Sequence, residues 1–128
     1  METNQKTALV VAQPGKLRDS LQVLLTAISQ LETVMVADDG STALRMMVNR
    51  RPTVVLIDFD CQPEGAISLL ESIKADWPQV HCLFLTDKPL SSKVLVSGVD
   101  GVLRKGMSAV HLFETVARFI VSSCGNQP

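Results

Sequence analysis

Near the middle of the chain, one threonine and four aliphatic residues lead directly into a carboxylate: Thr53-Val54-Val55-Leu56-Ile57-Asp58. A continuous apolar run of strand length, rich in β-branched residues, predicts a strand that is buried on both faces. Strands of this kind lie in the middle of parallel sheets, with helices on each side. Because open α/β sheets place their ligand sites at the carboxyl ends of the strands, Asp58 becomes the first candidate for an active residue.

Strand-like and helix-like segments alternate on both sides of this run. Further strands are predicted at residues 7–12, 33–37, 80–86 and 101–104. Between and after the strands, apolar residues recur at helical spacing and predict one helix after each strand. Ser41 and Ser108 are the predicted N-caps of the second and fifth helices, and Gly98 is the predicted C-terminal cap of the fourth. This alternation favours a parallel sheet with right-handed crossover connections.

The composition is typical of one globular domain without the positive charge that nucleic acid requires. The chain has 128 residues, of which 46% are hydrophobic, and this fits a single domain with an ordinary core. Lys and Arg together number 12, Asp and Glu together number 13, and the net charge is -1. We therefore do not expect this domain to bind nucleic acid.

The start of the chain and its cysteines indicate a cytoplasmic protein. Residues 1–6 lack the apolar segment of a signal peptide, and no apolar run approaches the ~18 residues of a membrane span. The cysteines, Cys61, Cys82 and Cys124, are odd in number and lack metal-ligand spacing. They are expected to be free thiols in a reducing compartment.

Three polar side chains stand at the carboxyl ends of predicted strands. Asp58 ends the third strand, Thr86 ends the fourth, and Lys105 directly follows the fifth. Because the carboxyl ends of parallel strands meet at one edge of the sheet, an acid, a hydroxyl and an amine converge there. This set suits phosphoryl transfer to a carboxylate, with Asp58 as nucleophile, Thr86 as hydrogen-bond donor to a phosphoryl oxygen and Lys105 as the neutralising charge.

Taken in order along the chain, several segments resemble the receiver domain of bacterial response regulators, over residues 6–122. They are the phospho-acceptor strand (residues 52–58), the strand of the switch hydroxyl (83–86), the lysine segment (98–105) and the turn into the second helix (37–44). Residues 17–21 resemble the subgroup that usually precedes a LuxR-type helix-turn-helix. Residues 123–128 are then a C-terminal tail or the start of a linker.

The resemblance implies both a fold and a mechanism. The fold is a flavodoxin-like (βα)5 three-layer sandwich, α/β in class, whose parallel five-stranded sheet has the order 2-1-3-4-5. In the family, a histidine kinase phosphorylates the aspartate at the position of Asp58, and Mg²⁺ is held by that aspartate and by an acidic pair after the first strand. The threonine and an aromatic switch residue then shift, and the face built from the fourth helix, fifth strand and fifth helix changes partner. A domain of this kind is not an enzyme.

The chain departs from the family pattern at the metal. The acidic pair would fall at Ala12 and Gln13, and neither residue is a carboxylate. Asp58, the backbone carbonyl of Asp60 and the amide oxygen of Gln13 make a poor cage for Mg²⁺, which prefers octahedral oxygen coordination that includes carboxylates. We therefore expect Mg²⁺ binding to be weak or absent, and we name no other cofactor. The aromatic switch position falls at Val102, and the segment after the fourth strand is about one helical turn short, which should truncate the fourth helix.

The sequence is compatible with three functions. The first is a degenerate receiver, which acts by protein contact with little or no phosphorylation of Asp58. The second is an active phosphoacceptor with weakened Mg²⁺ dependence, and the third is a small-molecule-binding protein of flavodoxin-like fold. The expected partner is a histidine kinase or another signalling protein. In the absence of an acidic pair to share it, Lys105 should lie within salt-bridge reach of Asp58.

The last predicted helix carries more apolar residues than one core seam needs. They are Val110, Phe113, Val116, Ala117 and Ile120. We expect this helix, with the short fourth helix beside it, to form a homodimer interface or a partner face.

Overall fold

The computed structural model describes residues 6–95 and 98–125 of the chain. The strands are β1 (Lys6–Val11), β2 (Leu31–Ala37), β3 (Val54–Asp58), β4 (His81–Thr86) and β5 (Gly101–Arg104). The helices are α1 (Lys16–Thr26), α2 (Gly40–Asn49), α3 (Pro63–Asp76), α4 (Ser92–Leu95) and α5 (Ala109–Gly125). Each strand is followed by one helix, as the alternation predicts.

The strands form one parallel sheet in the order β2-β1-β3-β4-β5. This order confirms the flavodoxin-like arrangement that the resemblance implies. β3 is the central strand and pairs with β1 on one side and β4 on the other. The register pairs Asp58 with Leu85 and Thr86 with Arg104. The carboxyl ends of β3, β4 and β5 therefore lie side by side at one edge of the sheet.

The central strand is buried on both faces, because helices cover both sides of the sheet. Val55 and Ile57 belong to the core cluster on the side of α2 and α3, while Val54 and Leu56 belong to the cluster on the side of α1 and α5. Each of these four side chains is at most 1% exposed, which confirms the prediction made from the continuous apolar run. At ~1.5–3 kcal/mol for each buried aliphatic side chain, β3 anchors both helical layers.

The N-cap of α5 is the predicted residue, whereas the N-cap of α2 is a different one. α2 is capped by Asp39, whose side chain accepts a hydrogen bond of 2.8 Å from the backbone N–H of Thr42. The prediction of Ser41 as this cap is therefore wrong: Asp39 keeps the extended backbone that an N-cap needs, whereas Ser41 already lies inside the helix. Ser108 caps α5 as predicted, since its Oγ accepts a hydrogen bond of 3.1 Å from the backbone N–H of His111.

The last two helices differ in length. α4 spans Ser92–Leu95, about one turn, and residues 96–97 lie outside the described residues, so the role of Gly98 as its cap stays a prediction. Gly98 itself has φ +108°, in the left-handed region that favours glycine. α5 continues to Gly125, so residues 123–125, which the sequence analysis assigned to the tail, are helical. Within the described part of the chain, no helix has the length and hydropathy to cross a membrane.

Candidate functional site

The three side chains that were predicted to converge lie at one edge of the sheet. Asp58 is the last residue of β3, Thr86 is the last of β4, and Lys105 directly follows β5. The backbone N–H of Lys105 donates a hydrogen bond of 3.2 Å to the carbonyl of Thr86, and this bond positions the backbone of Lys105 beside the end of β4. Its Nζ lies 2.8 Å from Oδ1 of Asp58, and the two side chains are only 19% and 15% exposed. The predicted ion pair between Lys105 and Asp58 is therefore present.

A fourth side chain, that of Asp60, completes the cluster. Its Oδ1 accepts a hydrogen bond of 2.6 Å from Oγ1 of Thr86. Its Oδ2 accepts a hydrogen bond of 2.9 Å from the backbone N–H of Asp87 and lies 3.2 Å from Nζ of Lys105. A hydroxyl, a backbone amide and an ammonium group thus meet on one carboxylate.

Only the backbone carbonyl of Asp60 was predicted to take part in the site, and the role of its side chain was not predicted. The chain turns after Asp58, because Oδ1 of Asp58 accepts a hydrogen bond of 3.2 Å from the backbone N–H of Asp60. The residue between them, Phe59, packs into the core with 9% exposure. The sequence does show a second acid, Asp60, two residues after Asp58. That spacing alone does not predict that the turn directs the Asp60 carboxylate towards the end of β4.

The hydroxyl of Thr86 is buried and is hydrogen-bonded both as a donor and as an acceptor. The residue is 0% exposed, and its single hydroxyl proton is directed to Asp60 at 2.6 Å. The same oxygen accepts a hydrogen bond of 3.1 Å from the backbone N–H of Lys88. Because both capacities are taken within the chain, the rotamer of Thr86 is fixed by its neighbours.

The charges at this edge shift two pKa values in opposite directions. Burial alone would raise the pKa of Asp60, but hydrogen bonds from Thr86, from the N–H of Asp87 and from Lys105 hold it below its ordinary value of 3.8. Burial alone would lower the pKa of Lys105, but its bonds to Asp58 and Asp60 raise it above 10.5. Both groups are therefore ionised at neutral pH, and one ammonium group is shared by two carboxylates.

The residues on the other side of Asp58 do not fit the Mg²⁺ that the resemblance implies. Ala12, directly after β1, has only a methyl side chain, and its carbonyl accepts a hydrogen bond of 3.2 Å from Arg18. Gln13 is exposed and offers one neutral amide oxygen. Oδ1 of Asp58 is already paired with Lys105. Across residues 6–95 and 98–125, no group of three or more His, Cys, Asp or Glu side chains is placed to hold a metal ion.

A cleft of about 720 Å³ opens beside Asp58, between the ends of β1 and β3 and the helices α2 and α3. Ala12 and Gln13 line it, together with Asp38 and the exposed thiol of Cys61. Asp38 forms an ion pair with Arg18, which neutralises its charge. Asp58 also lines this cleft, with its side chain 15% exposed.

The apolar residues of the last helix are mostly used within the chain. Val116 and Ile120 are 0% exposed and belong to the core on the side of α1, and Phe113 and Ala117 pack partly buried against the same core. Only Val110 of the predicted set is highly exposed, at 67%. The prediction that this set exceeds what the core needs is therefore wrong, because four of the five residues pack in the core of their own chain. The reason is that α5 packs across both α1 and the sheet.

Comparison with known proteins gives one family over most of the chain. The family described as response regulator receiver domain matches residues 8–117. A protein-glutamate methylesterase/protein-glutamine glutaminase 2 from Chromobacterium violaceum is 30% identical over 109 residues, covering 82% of this chain and 31% of the relative. The transcriptional regulatory protein DegU from Brevibacillus brevis is 26% identical over 115 residues, covering 87% of this chain and 49% of the relative. The chain thus spans less than half the length of these curated relatives.

Solved structures show the same fold. A signal receiver domain of an HD domain-containing protein from Pseudomonas fluorescens Pf-5 superposes with a TM-score of 0.82 at 20% identity, covering 98% of this chain and 94% of that one. This likeness agrees with the strand order of the sheet.

Proposed function

We propose, given that this chain belongs to the response regulator receiver domain family, that it is a degenerate receiver of two-component signalling. In this proposal it acts by protein contact, with little or no phosphorylation of Asp58. It is a binding module rather than an enzyme, it works in the cytoplasm, and this domain does not bind nucleic acid. The alternatives are an active phosphoacceptor with weakened Mg²⁺ dependence and a small-molecule-binding protein.

The observation that carries the proposal is the pairing of Asp58 with Lys105 at 2.8 Å, beside a cleft where Ala12 and Gln13 offer no carboxylate. Transfer of a phosphoryl group to Asp58 would add negative charge beside a carboxylate, Asp60, that already shares the same lysine. Phosphoryl transfer depends on positioned positive charge around the transferred group. One shared ammonium group supplies less than that chemistry needs, so Asp58 is a poor acceptor.

The proposed partner is a histidine kinase or another signalling protein. We also propose that the chain binds a second copy of itself. On α5, Val110, Glu114, Arg118 and Val121 are all exposed and lie on one side of the helix, because they recur at helical spacing. In a two-fold symmetric contact, Glu114 would face Arg118 of the partner subunit, with a valine at each end. Sedimentation at ~100 μM tests this, and reversing one charge with Glu114→Arg should weaken any dimer.

The degenerate reading is tested by incubation with acetyl phosphate at millimolar Mg²⁺, followed by intact mass. We expect no gain of a phosphoryl group in the wild-type chain. A variant with Ala12→Asp and Gln13→Asp, which restores both carboxylates, should gain one, and this shows that the assay can detect the product.

A rapid, stoichiometric gain in the wild type that disappears in Asp58→Asn would overturn the proposal and establish the active phosphoacceptor instead. A small molecule that remains bound in a native mass spectrum and is displaced by blocking the cleft beside Asp58 would favour the third function.

A further inference from the structure

The donors around Asp60 form an oxyanion site whose occupant belongs to the chain itself. Oγ1 of Thr86 and the backbone N–H of Asp87 lie 2.6 and 2.9 Å from the two carboxylate oxygens. Nζ of Lys105 lies 3.2 Å from the second oxygen. A hydroxyl, a backbone amide and an ammonium group are the donors that bind carboxylate and phosphate oxygens alike.

These donors are held by the fold and not by Asp60. Thr86 is 0% exposed and ends β4, so its hydroxyl and the next backbone N–H keep their places at the strand end. The backbone of Lys105 is fixed by its bond to the carbonyl of Thr86. Lys105 also has a second carboxylate, Asp58, at 2.8 Å to hold its side chain at the site. Removing the Asp60 carboxylate would therefore leave the donors in place, with the backbone N–H of Asp87 freed, the Lys88 carbonyl 3.3 Å from Oγ1 of Thr86, and Asp58 beside Lys105.

We propose that the Asp60 carboxylate is a built-in occupant of this site, which competes with an external phosphate or phosphoryl group for Thr86, Asp87 and Lys105. An anion on the same chain competes at an effective concentration of millimolar or more, as a tethered ligand does. The inference rests on the proposed function, because it names the group that fills the place of a phosphoryl group in a receiver that is not phosphorylated.

Titration of inorganic phosphate into the ¹⁵N-labelled full chain tests this inference, with the amide signal of Asp87 as the readout. The Asp60→Ala variant should bind phosphate at least ~10-fold more tightly than the wild type, with a saturable shift of that signal. The matched control is Asp76→Ala, which removes the same charge from an exposed position at the end of α3. Its phosphate affinity should equal that of the wild type.

A second substitution shows whether the gain uses the proposed donors. Adding Lys105→Met to Asp60→Ala should abolish the gain, because the ammonium group is the charged donor of the site. If Asp60→Ala does not fold, Asp60→Ser decides instead, since its shorter side chain removes the carboxylate from the donors. It must still bind phosphate more tightly than the wild type.

The inference is overturned if the folded Asp60 variants bind phosphate no more tightly than the wild type, or if Asp76→Ala gains as much as Asp60→Ala. This result is distinct from failure of the proposed function. Phosphorylation of wild-type Asp58 by acetyl phosphate would refute the degenerate receiver, whereas the phosphate titration would still decide what Asp60 does.

Discussion

Replacing Lys105 with methionine should destabilise the fold by an amount that depends on pH. Methionine keeps an unbranched side chain of similar reach but removes the charge that lies 2.8 Å from Asp58 and 3.2 Å from Asp60. The two carboxylates would then share the edge of the sheet without a cation. The unfolding free energy would fall because both attractions to Lys105 are lost and because the repulsion between Asp58 and Asp60 is no longer offset.

The magnitude follows from the distances and the burial of the three groups. At an effective dielectric constant of ~20, each contact corresponds to ~5–6 kcal/mol before desolvation. Exposed pairs retain only ~0–1 kcal/mol net, whereas breaking a buried pair costs ~3–5 kcal/mol. The side chains of Lys105, Asp58 and Asp60 are 19%, 15% and 22% exposed, which is between these cases. We therefore expect a loss of ~2–3 kcal/mol at pH 7, or about 6–15 °C in melting temperature.

The dependence on pH separates this mechanism from a simple packing loss. The folded-state pKa of Asp60 lies below 3.8, so its contribution is present above pH 3.8 and is lost as pH falls through the lower folded-state value. Lys105, whose pKa lies above 10.5, stays charged throughout this range. The deficit of the variant should therefore be largest at pH 7 and should shrink in acid, because the unfolded chain and the variant take up a proton at a higher pH than wild-type Asp60 does.

Urea unfolding at pH 7 and at pH 3.5 measures the loss of unfolding free energy. It is compared for the wild type, Lys105→Met and Lys16→Met. Lys16 is exposed at the start of α1, so its substitution controls for the loss of one positive charge and should change the unfolding free energy by no more than ~0.5 kcal/mol. A deficit of equal size at pH 7 and pH 3.5, or an equal loss in the control, would refute the electrostatic reasoning.

Three further perturbations test other parts of the structure. The double variant Ala12→Asp with Gln13→Asp should melt below the wild type without metal and recover ~1 kcal/mol or more when Mg²⁺ is about tenfold above its dissociation constant, whereas wild-type melting should not respond. Ile120→Ala should cost ~2–5 kcal/mol in urea unfolding, because the side chain is 0% exposed, while Val121→Ala, at 48% exposure, should cost less than ~0.5 kcal/mol. With the other two cysteines replaced by serine, Cys82 should resist a thiol reagent at pH 8 unless the protein unfolds, because burial raises its pKa to about 12.

The fold was predictable because its central signal is strong and local. Residues 54–57 form an uninterrupted apolar run, which is typical of a strand buried on both faces, and β3 shows that burial. The positions of Asp58, Thr86 and Lys105 then followed from the rule that the ends of parallel strands share one edge. The contact between the first and last of these was predictable, because opposite charges at that edge have few other partners.

The features that could not be predicted depend on the directions of side chains, which the spacing of residues along the sequence does not determine. Asp39 and Ser41 are both good N-cap residues, and the backbone of the preceding turn decides between them. The side chain of Asp60 was missed for the same reason, since the turn after β3 sets where it points. The face of α5 was overestimated, because Phe113 and Ala117 are apolar in the sequence whether they meet a partner or the core of their own chain.

The balance of charges connects the stability of this edge with its chemistry. Asp58 and Asp60 bring two negative charges and Lys105 one positive charge, a local sum of -1. Carboxylates at both Ala12 and Gln13 would bring that sum to -3, a repulsion that a divalent cation would be needed to offset. Without them, one lysine nearly balances the edge, and Asp60 satisfies the buried hydroxyl of Thr86. The contacts that stabilise this edge are therefore the same contacts that a phosphoryl group on Asp58 would have to take over.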